Sequence, residues 1–134
     1  MTKKIHEIWQ QHAADDLKSA EVLLGAMIYN MVCFHAQQAV EKILKALLAA
    51  ANQPIPRIHN LVRLRRLVED ALGYTLEIDE EALMFLNDVY LDSRYPADLG
   101  ILPAGLPDAE DAQRAYDSAF KLHDLIKSFI NNLN

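Results

Sequence analysis

Residues Met31–Ala51 have the sequence MVCFHAQQAVEKILKALLAAA, and the arrangement of the other helices is inferred from this segment. Its apolar residues recur every three or four positions, at Ala36, Val40, Ile43, Leu47 and Ala50, which is the spacing of one face of an α-helix. Phe34, Leu44 and Leu48 form a second apolar side. A helix that is apolar on two sides must be covered by neighbours, so this stretch predicts the central helix of an all-α domain.

The same stretch carries a strip of polar residues that an ordinary core helix lacks. Its members are His35, Gln37, Gln38, Glu41, Lys42 and Lys45. Glu41 and Lys45 are four residues apart in the order that supports a helix. The strip is where we expect a functional surface to begin.

Composition limits the class of protein. The chain has 134 residues, a formal net charge of −6 and a single cysteine, Cys33. We expect one domain spanning residues 1–134, with Cys33 as a buried apolar residue. The negative charge argues against a broad nucleic-acid or membrane surface, although a local basic patch is allowed. Since no apolar run approaches the ~20 residues of a membrane span, we expect a cytoplasmic protein without membrane contact.

Two helices are predicted before the prolines. Apolar residues at helical spacing predict a first helix from about Ile5 to Met27, with Asp15 and Asp16 on its solvent-facing side. Asn30 is a candidate N-cap of the central helix. The short connection predicts that the two helices are antiparallel.

Three further helices are predicted from their caps. The third begins at His59 or Asn60 and closes at Gly73, the fourth runs from the N-cap Asp79 to about Arg94, and the fifth begins at the N-cap Asp108. Residues 74–78 are interpreted as a linker. The architecture predicted is all-α, an up-and-down bundle of about five helices with a four-helix-bundle core.

Arginines are clustered in the third helix and the segment before it. Four of the chain's arginines lie within ten residues, at Arg57, Arg63, Arg65 and Arg66. In an acidic protein this cluster is a candidate anion-binding surface. The alternative is a solvated helix face, balanced by Glu69 and Asp70.

Several chemistries lack their motifs. The five histidines form no HExxH pair, and the four glycines form no phosphate-binding loop. A serine hydrolase needs a nucleophile at a strand end, and no strand is predicted. We therefore expect no metal site, no cofactor and no catalytic residue of these kinds.

One constellation remains at the end of the fourth helix. Tyr90 and Arg94 are four residues apart on one helix face, and Tyr95-Pro96 follows. An arginine there can bind a phosphate through two hydrogen bonds, while a tyrosine stacks on a base. The alternative is that Arg94 pairs with Asp88 or Asp98.

Four segments resemble the HEPN domain family, named for nucleotide binding in higher eukaryotes and prokaryotes. They are WQQHAADDLKSAEVLL, CFHAQQAVEKILKALL, IHNLVRL and LNDVYLDSRYP, at residues 9–24, 33–48, 58–64 and 86–96. The helix FHAQQAVEKxLKALL and the corner YxxxRYP are the most specific parts. The resemblance implies a five-helix bundle that forms a homodimer and pairs with a small nucleotidyltransferase in a two-component system of toxin-antitoxin type.

Many HEPN proteins are metal-independent ribonucleases with an arginine followed, after four to six residues, by a histidine. No histidine stands in that window after Arg94. The resemblance therefore implies a nucleotide- or RNA-binding subunit, with Arg94, Tyr90, Tyr95, Gln38, Lys42 and His35 as ligand-binding residues and none as catalytic. The alternatives are a ribonuclease toxin with a relocated histidine, His35 or His59, and a non-catalytic dimerisation scaffold.

Overall fold

Five α-helices form the protein in the computed structural model, which describes residues 2–94 and 106–133, the side chain of residue 94 excepted. They are α1 (Ile5–Gly25), α2 (Tyr29–Ala50), α3 (Leu61–Leu72), α4 (Glu80–Arg94) and α5 (Ala109–Asn131). Helix α2 packs against each of the other four, which confirms the all-α prediction and the central place of α2. None of the helices in this part of the chain is long and apolar enough to cross a membrane.

The core forms around the two apolar sides of α2. Ala36, Val40, Ile43, Leu44 and Leu47 are fully buried, as the sequence pattern predicts. The other helices cover them with small and branched side chains, among them Ala13, Ala20, Leu64, Leu83, Leu86, Ala115, Ala119 and Ile126. Alanines on α1 and α5 let those two helices approach α2 closely, and removal of this apolar surface from water stabilises the bundle.

The connection between α1 and α2 differs from the prediction. Helix α1 ends at Gly25, and Met27 adopts a left-handed conformation with φ of 61°. Helix α2 begins at Tyr29, its N-cap is Ile28, and no side chain caps it, so the expected Asn30 cap is wrong. The turn is closed by backbone hydrogen bonds, from Met27 N to Leu24 O and from Ile28 N to Leu23 O.

The predicted caps of the other helices form. The Asn60 side chain accepts a hydrogen bond from the Arg63 amide, and Gly73 ends α3 with φ of 82°. Asp79 accepts from the Glu81 amide, and Asp108 forms a capping box with Asp111. These bonds satisfy amides that a helix leaves free at its first turn.

The linker after α3 is fixed to the bundle by both its side chains and its backbone. Leu76 and Ile78 are buried. The Leu76 amide donates to Glu69 at 2.7 Å, and its carbonyl accepts from Arg65 at 2.6 Å. Arg65 and Glu69 therefore belong to the structure of the linker.

Helix α4 runs antiparallel to α2, and this orientation positions the candidate site. Tyr90 lies against Phe34, and Asp92 lies near Cys33, one residue earlier in α2. The C-terminal end of α4 thus lies beside the N-terminal end of α2.

Candidate functional site

Asp16 of α1 joins two of the predicted site residues on α2. One carboxylate oxygen lies 2.8 Å from His35 Nδ1, and the other accepts from Lys42 Nζ at 2.6 Å. A carboxylate can only accept, so His35 Nδ1 carries a proton and Nε2 is the nitrogen left for other partners. Lys42 has its charge balanced by Asp16 and does not act as a free cation.

Asp16 is buried, although the sequence pattern places it on the solvent-facing side of α1. That expectation is wrong because the Asp16 carboxylate pairs with His35 and Lys42, which belong to α2 and not to α1. They lie 19 and 26 residues further along the chain. Spacing within α1 gives no sign of this pairing.

A second group of polar side chains surrounds Glu41. Its carboxylate accepts from Lys45 Nζ at 3.0 Å and lies 3.1 Å from His59 Nδ1. Gln37 Nε2 donates to the His59 carbonyl at 2.8 Å, and Gln38 Nε2 donates to Gln37 Oε1 at 2.8 Å. The buried charges of the strip are therefore compensated, as burial of a charge requires.

Trp9 of α1 covers Lys45 at the C-terminal end of the strip. The Lys45 ammonium lies 5.7 Å from the centre of the Trp9 ring, within the range of a cation-π contact. Lys45 is almost fully buried by this contact and by Glu41. The accessible part of the strip thus begins at Lys42 and runs through Gln38 to His35, all of them half-buried.

Three aromatic rings connect this strip to α4. Tyr90 stacks on Phe34 with ring centres 5.8 Å apart, and Phe34 meets the edge of His35 at 5.1 Å. Tyr90 is buried in this arrangement. A buried ring cannot stack on a base, so Tyr90 fixes α4 against α2 rather than offering a free aromatic surface.

The other two residues of the predicted constellation fall at the edge of what the structure describes. Helix α4 ends at Arg94, and the side chain of Arg94 and the whole of Tyr95 lie outside the described residues. The backbone position of residue 94 is one turn, about 6 Å, beyond Tyr90 along the helix axis. It lies on the same face as Tyr90.

Carboxylates lie on the side of α4 opposite to Tyr90. Asp92 lies near Asp111 and Asp88, and burial followed by these two charges raises the pKa of Asp92. Positions 88 and 92 are about half a helix turn away from positions 90 and 94. Asp92, Asp108 and Asp111 nevertheless act on the buried Cys33 thiol, next to Phe34, so negative charge lies close to the contact between Tyr90 and α2.

The surface from Gln38 on α2 to the end of α4 is elongated. Gln38 lies one turn from Phe34 in one direction, and position 94 lies one turn from Tyr90 in the other, because α2 and α4 are antiparallel. Those positions are thus separated by about 12 Å along the bundle axis. This length suits a chain of nucleotides better than a single phosphate group.

Two concave surfaces lie near these helices. A hollow of about 330 Å³ is lined by His35 with Lys18, Ser19, Val22 and Leu23, and Gln38 and Lys42 do not contribute to it. A larger groove of about 550 Å³ lies between α4 and α5, beside Arg114, Lys121 and Leu122. None of the predicted site residues whose side chains the structure describes lines the larger groove, so its size alone does not make it the candidate site.

Metal binding has no support in the part of the chain that the structure describes. No group of three or more histidine, cysteine and carboxylate side chains there could hold a metal ion. Cys33 is buried, and burial followed by the charges of Asp111, Asp92 and Asp108 raises the pKa of its thiol to about 12. The thiol is therefore protonated at neutral pH and is a poor nucleophile or ligand.

Comparison with known proteins identifies the family. The model of the HEPN domain matches residues 6–129. The crystal structure of TT1696 from Thermus thermophilus is similar, with 29% sequence identity, a TM-score of 0.72, and coverage of 94% of this chain and 98% of that chain. ST0689, an archaeal HEPN homologue, has 21% identity, a TM-score of 0.68, and coverage of 97% and 99%, which shows likeness of fold.

No curated protein gives a significant match to the chain. The family model nevertheless covers most of the sequence, and it agrees with the five-helix architecture around α2. The chain belongs to the HEPN domain family.

Proposed function

We propose that the protein is an RNA-binding subunit of a two-component system of toxin-antitoxin type. The observation that carries the proposal is the distance of about 12 Å along the bundle axis between Gln38 on α2 and position 94 at the end of α4, which Tyr90 fixes beside α2. This distance favours an RNA strand over a mononucleotide.

Each residue then has a distinct role. Arg94 binds a phosphate of the strand, and Tyr95 stacks on a base. His35 presents Nε2, because Asp16 holds Nδ1, and Gln38 presents its carbonyl oxygen, because its amide nitrogen donates to Gln37. Lys42 holds the strip in place through Asp16.

The proposal includes two protein partners, which the family implies. One is a second copy of the chain, forming a homodimer, and the other is a small nucleotidyltransferase. Exposed apolar side chains at the α1-α2 corner, at Val22, Met27 and Ile28, offer a surface of the kind that partners cover. Light scattering tests for the homodimer through its molecular mass. Co-purification with a nucleotidyltransferase encoded beside the gene tests for the second partner.

RNA binding is tested by fluorescence anisotropy with a labelled single-stranded RNA, with unlabelled ATP as competitor. Arg94→Ala is expected to weaken binding roughly 10- to 100-fold, since a charge-assisted pair contributes about 1.5–3 kcal/mol. Gln38→Ala is expected to weaken it less. Arg114→Ala is the matched control, because it removes the same charge from the groove between α4 and α5. Equal isotherms for the wild type and Arg94→Ala contradict the assignment.

A second candidate function, metal-independent RNA cleavage, is favoured by one observation. His35 is held through Nδ1 by the Asp16 carboxylate, which is how a histidine is oriented for proton transfer through Nε2. Cleavage that is lost in His35→Ala but kept in His59→Ala supports this function. Purified protein without RNA cleavage removes it.

A further inference from the structure

The arginines around α3 divide into one that is structural and three that form no ion pair with a residue the structure describes. Arg65 is half-buried, donates a hydrogen bond to the Leu76 carbonyl and forms an ion pair with Glu69, in which Nε lies 3.4 Å from the carboxylate. Arg57, Arg63 and Arg66 are exposed, and we call these three the arginine row.

The arginine row has no ion pair within residues 2–94 and 106–133. The two acidic residues expected to balance it do not do so. Glu69 is turned inward to the Leu76 amide and Arg65, and Asp70, four residues after Arg66, is not paired with it. Arg63 and Arg66 are three residues apart on one face of α3, and Arg57 lies in the segment before it. In a chain with a net charge of −6, these arginines without an ion pair to a described residue are a candidate basic surface.

His59 fixes the start of the row. It lies in the non-helical segment before α3, which begins at Leu61. Its side chain is 63% exposed, yet its Nδ1 lies 3.1 Å from the buried Glu41 carboxylate. Gln37 Nε2 also donates a hydrogen bond to the backbone carbonyl of His59. Because Glu41 belongs to the polar strip of α2, the arginine row begins at the edge of that strip.

The charged groups of the row suit a phosphate backbone, because an arginine can bind phosphate through two parallel hydrogen bonds. Apolar residues of the same segments, Pro56 and Leu67 among them, line a hollow of about 200 Å³.

We propose that the arginine row binds the phosphodiester backbone of an RNA strand that continues from the α2 strip past His59 onto α3. The inference rests on the proposed RNA binding and extends its footprint to a second helix. Arg57, Arg63 and Arg66 each neutralise a backbone phosphate, and the contact is independent of base sequence.

The test measures the salt dependence of RNA binding. Labelled single-stranded RNA is titrated from about 50 to 200 mM KCl, and the slope of log affinity against log salt is compared between variants. Replacing Arg57, Arg63 and Arg66 together by alanine is expected to reduce the slope by about 2, since each phosphate contact contributes roughly 0.7 for a single strand. Replacing the same three by lysine is expected to keep the slope, because the charges remain.

The matched control replaces Lys4, Lys121 and Lys127 by alanine, three exposed cations outside α3 whose removal changes the net charge equally. It is expected to leave the slope nearly unchanged. Equal slopes for the two alanine triples overturn the inference. Displacement of the RNA by polyglutamate at equal charge also overturns it, because the row would then be a site for acidic proteins.

The outcomes separate this inference from the proposed function. If Arg94→Ala weakens binding while the alanine triple of the row does not, the α2 site stands and the row is not part of it. If the triple lowers the slope while Arg94→Ala has no effect, the row stands and the assignment of Arg94 is wrong. A wild-type protein that does not bind RNA overturns both.

Discussion

Replacement of Asp16 by alanine tests the junction on which the geometry of the α2 strip depends. The carboxylate is buried and accepts from two groups, His35 at 2.8 Å and Lys42 at 2.6 Å. A hydrogen bond to a charged group contributes about 1.5–3 kcal/mol, and removing one partner of a buried ion pair costs about 3–5 kcal/mol. The Lys42 side chain is 24% exposed and can turn its ammonium to water, which lowers the cost. We expect a loss of about 2–3 kcal/mol in the free energy of unfolding.

Urea denaturation measures this loss, provided that the free energy of unfolding falls with urea concentration at the same slope in the variant and the wild type. Asp15→Ala is the matched control, because Asp15 is the neighbouring carboxylate and its bond to Gln11 is exposed. We expect that control to cost less than about 0.5 kcal/mol. Adding Lys42→Met to Asp16→Ala removes the stranded ammonium and is expected to recover part of the stability. An Asp16→Ala protein no less stable than Asp15→Ala refutes the reasoning.

Three further predictions concern other parts of the bundle. The Cys33 thiol, whose pKa burial and nearby carboxylates raise to about 12, is expected to react with a disulfide reagent at pH 8 only after unfolding, and the rates with and without urea check this. Gly73→Ala is expected to cost about 1 kcal/mol, measured by urea denaturation, because Gly73 has φ of 82°. Burial, followed by the charge of Lys127, lowers the pKa of His123 from 6.5. The unfolded chain therefore takes up this proton more readily, so stability should fall as the pH drops below 6.5, and His123→Gln should reduce that loss. Thermal unfolding across this range measures the effect, and an unchanged pH profile in the variant contradicts it.

The fold was predictable because its signals are local. The apolar spacing of α2, the caps at Asn60 and Asp108, and the left-handed glycine at the end of α3 each act within a few residues. The short linker was also predictable, since Leu76 and Ile78 are apolar and alternate with the polar Thr75 and Glu77. The exact start of α2 was not, because backbone bonds alone close the turn before it.

The candidate site was predictable only in part. The polar strip could be seen in the sequence of α2, but its connections could not. Asp16 pairs with residues on another helix, and Glu41 reaches His59 across the segment before α3. Such pairs depend on how the helices pack, and no spacing in a single helix encodes them. The burial of Tyr90 against Phe34 likewise changes its expected role from stacking on a base to positioning α4.

A map of the RNA contacts on the intact protein tests whether RNA lies along α2 and the end of α4. Single-stranded RNA containing a photoreactive nucleotide is cross-linked, and the modified peptides are identified by mass spectrometry. We expect cross-links in the first half of α2 and at the end of α4, near His35, Gln38 and Arg94. Cross-links confined to α5, beside the groove at Arg114 and Lys121, would contradict this expectation.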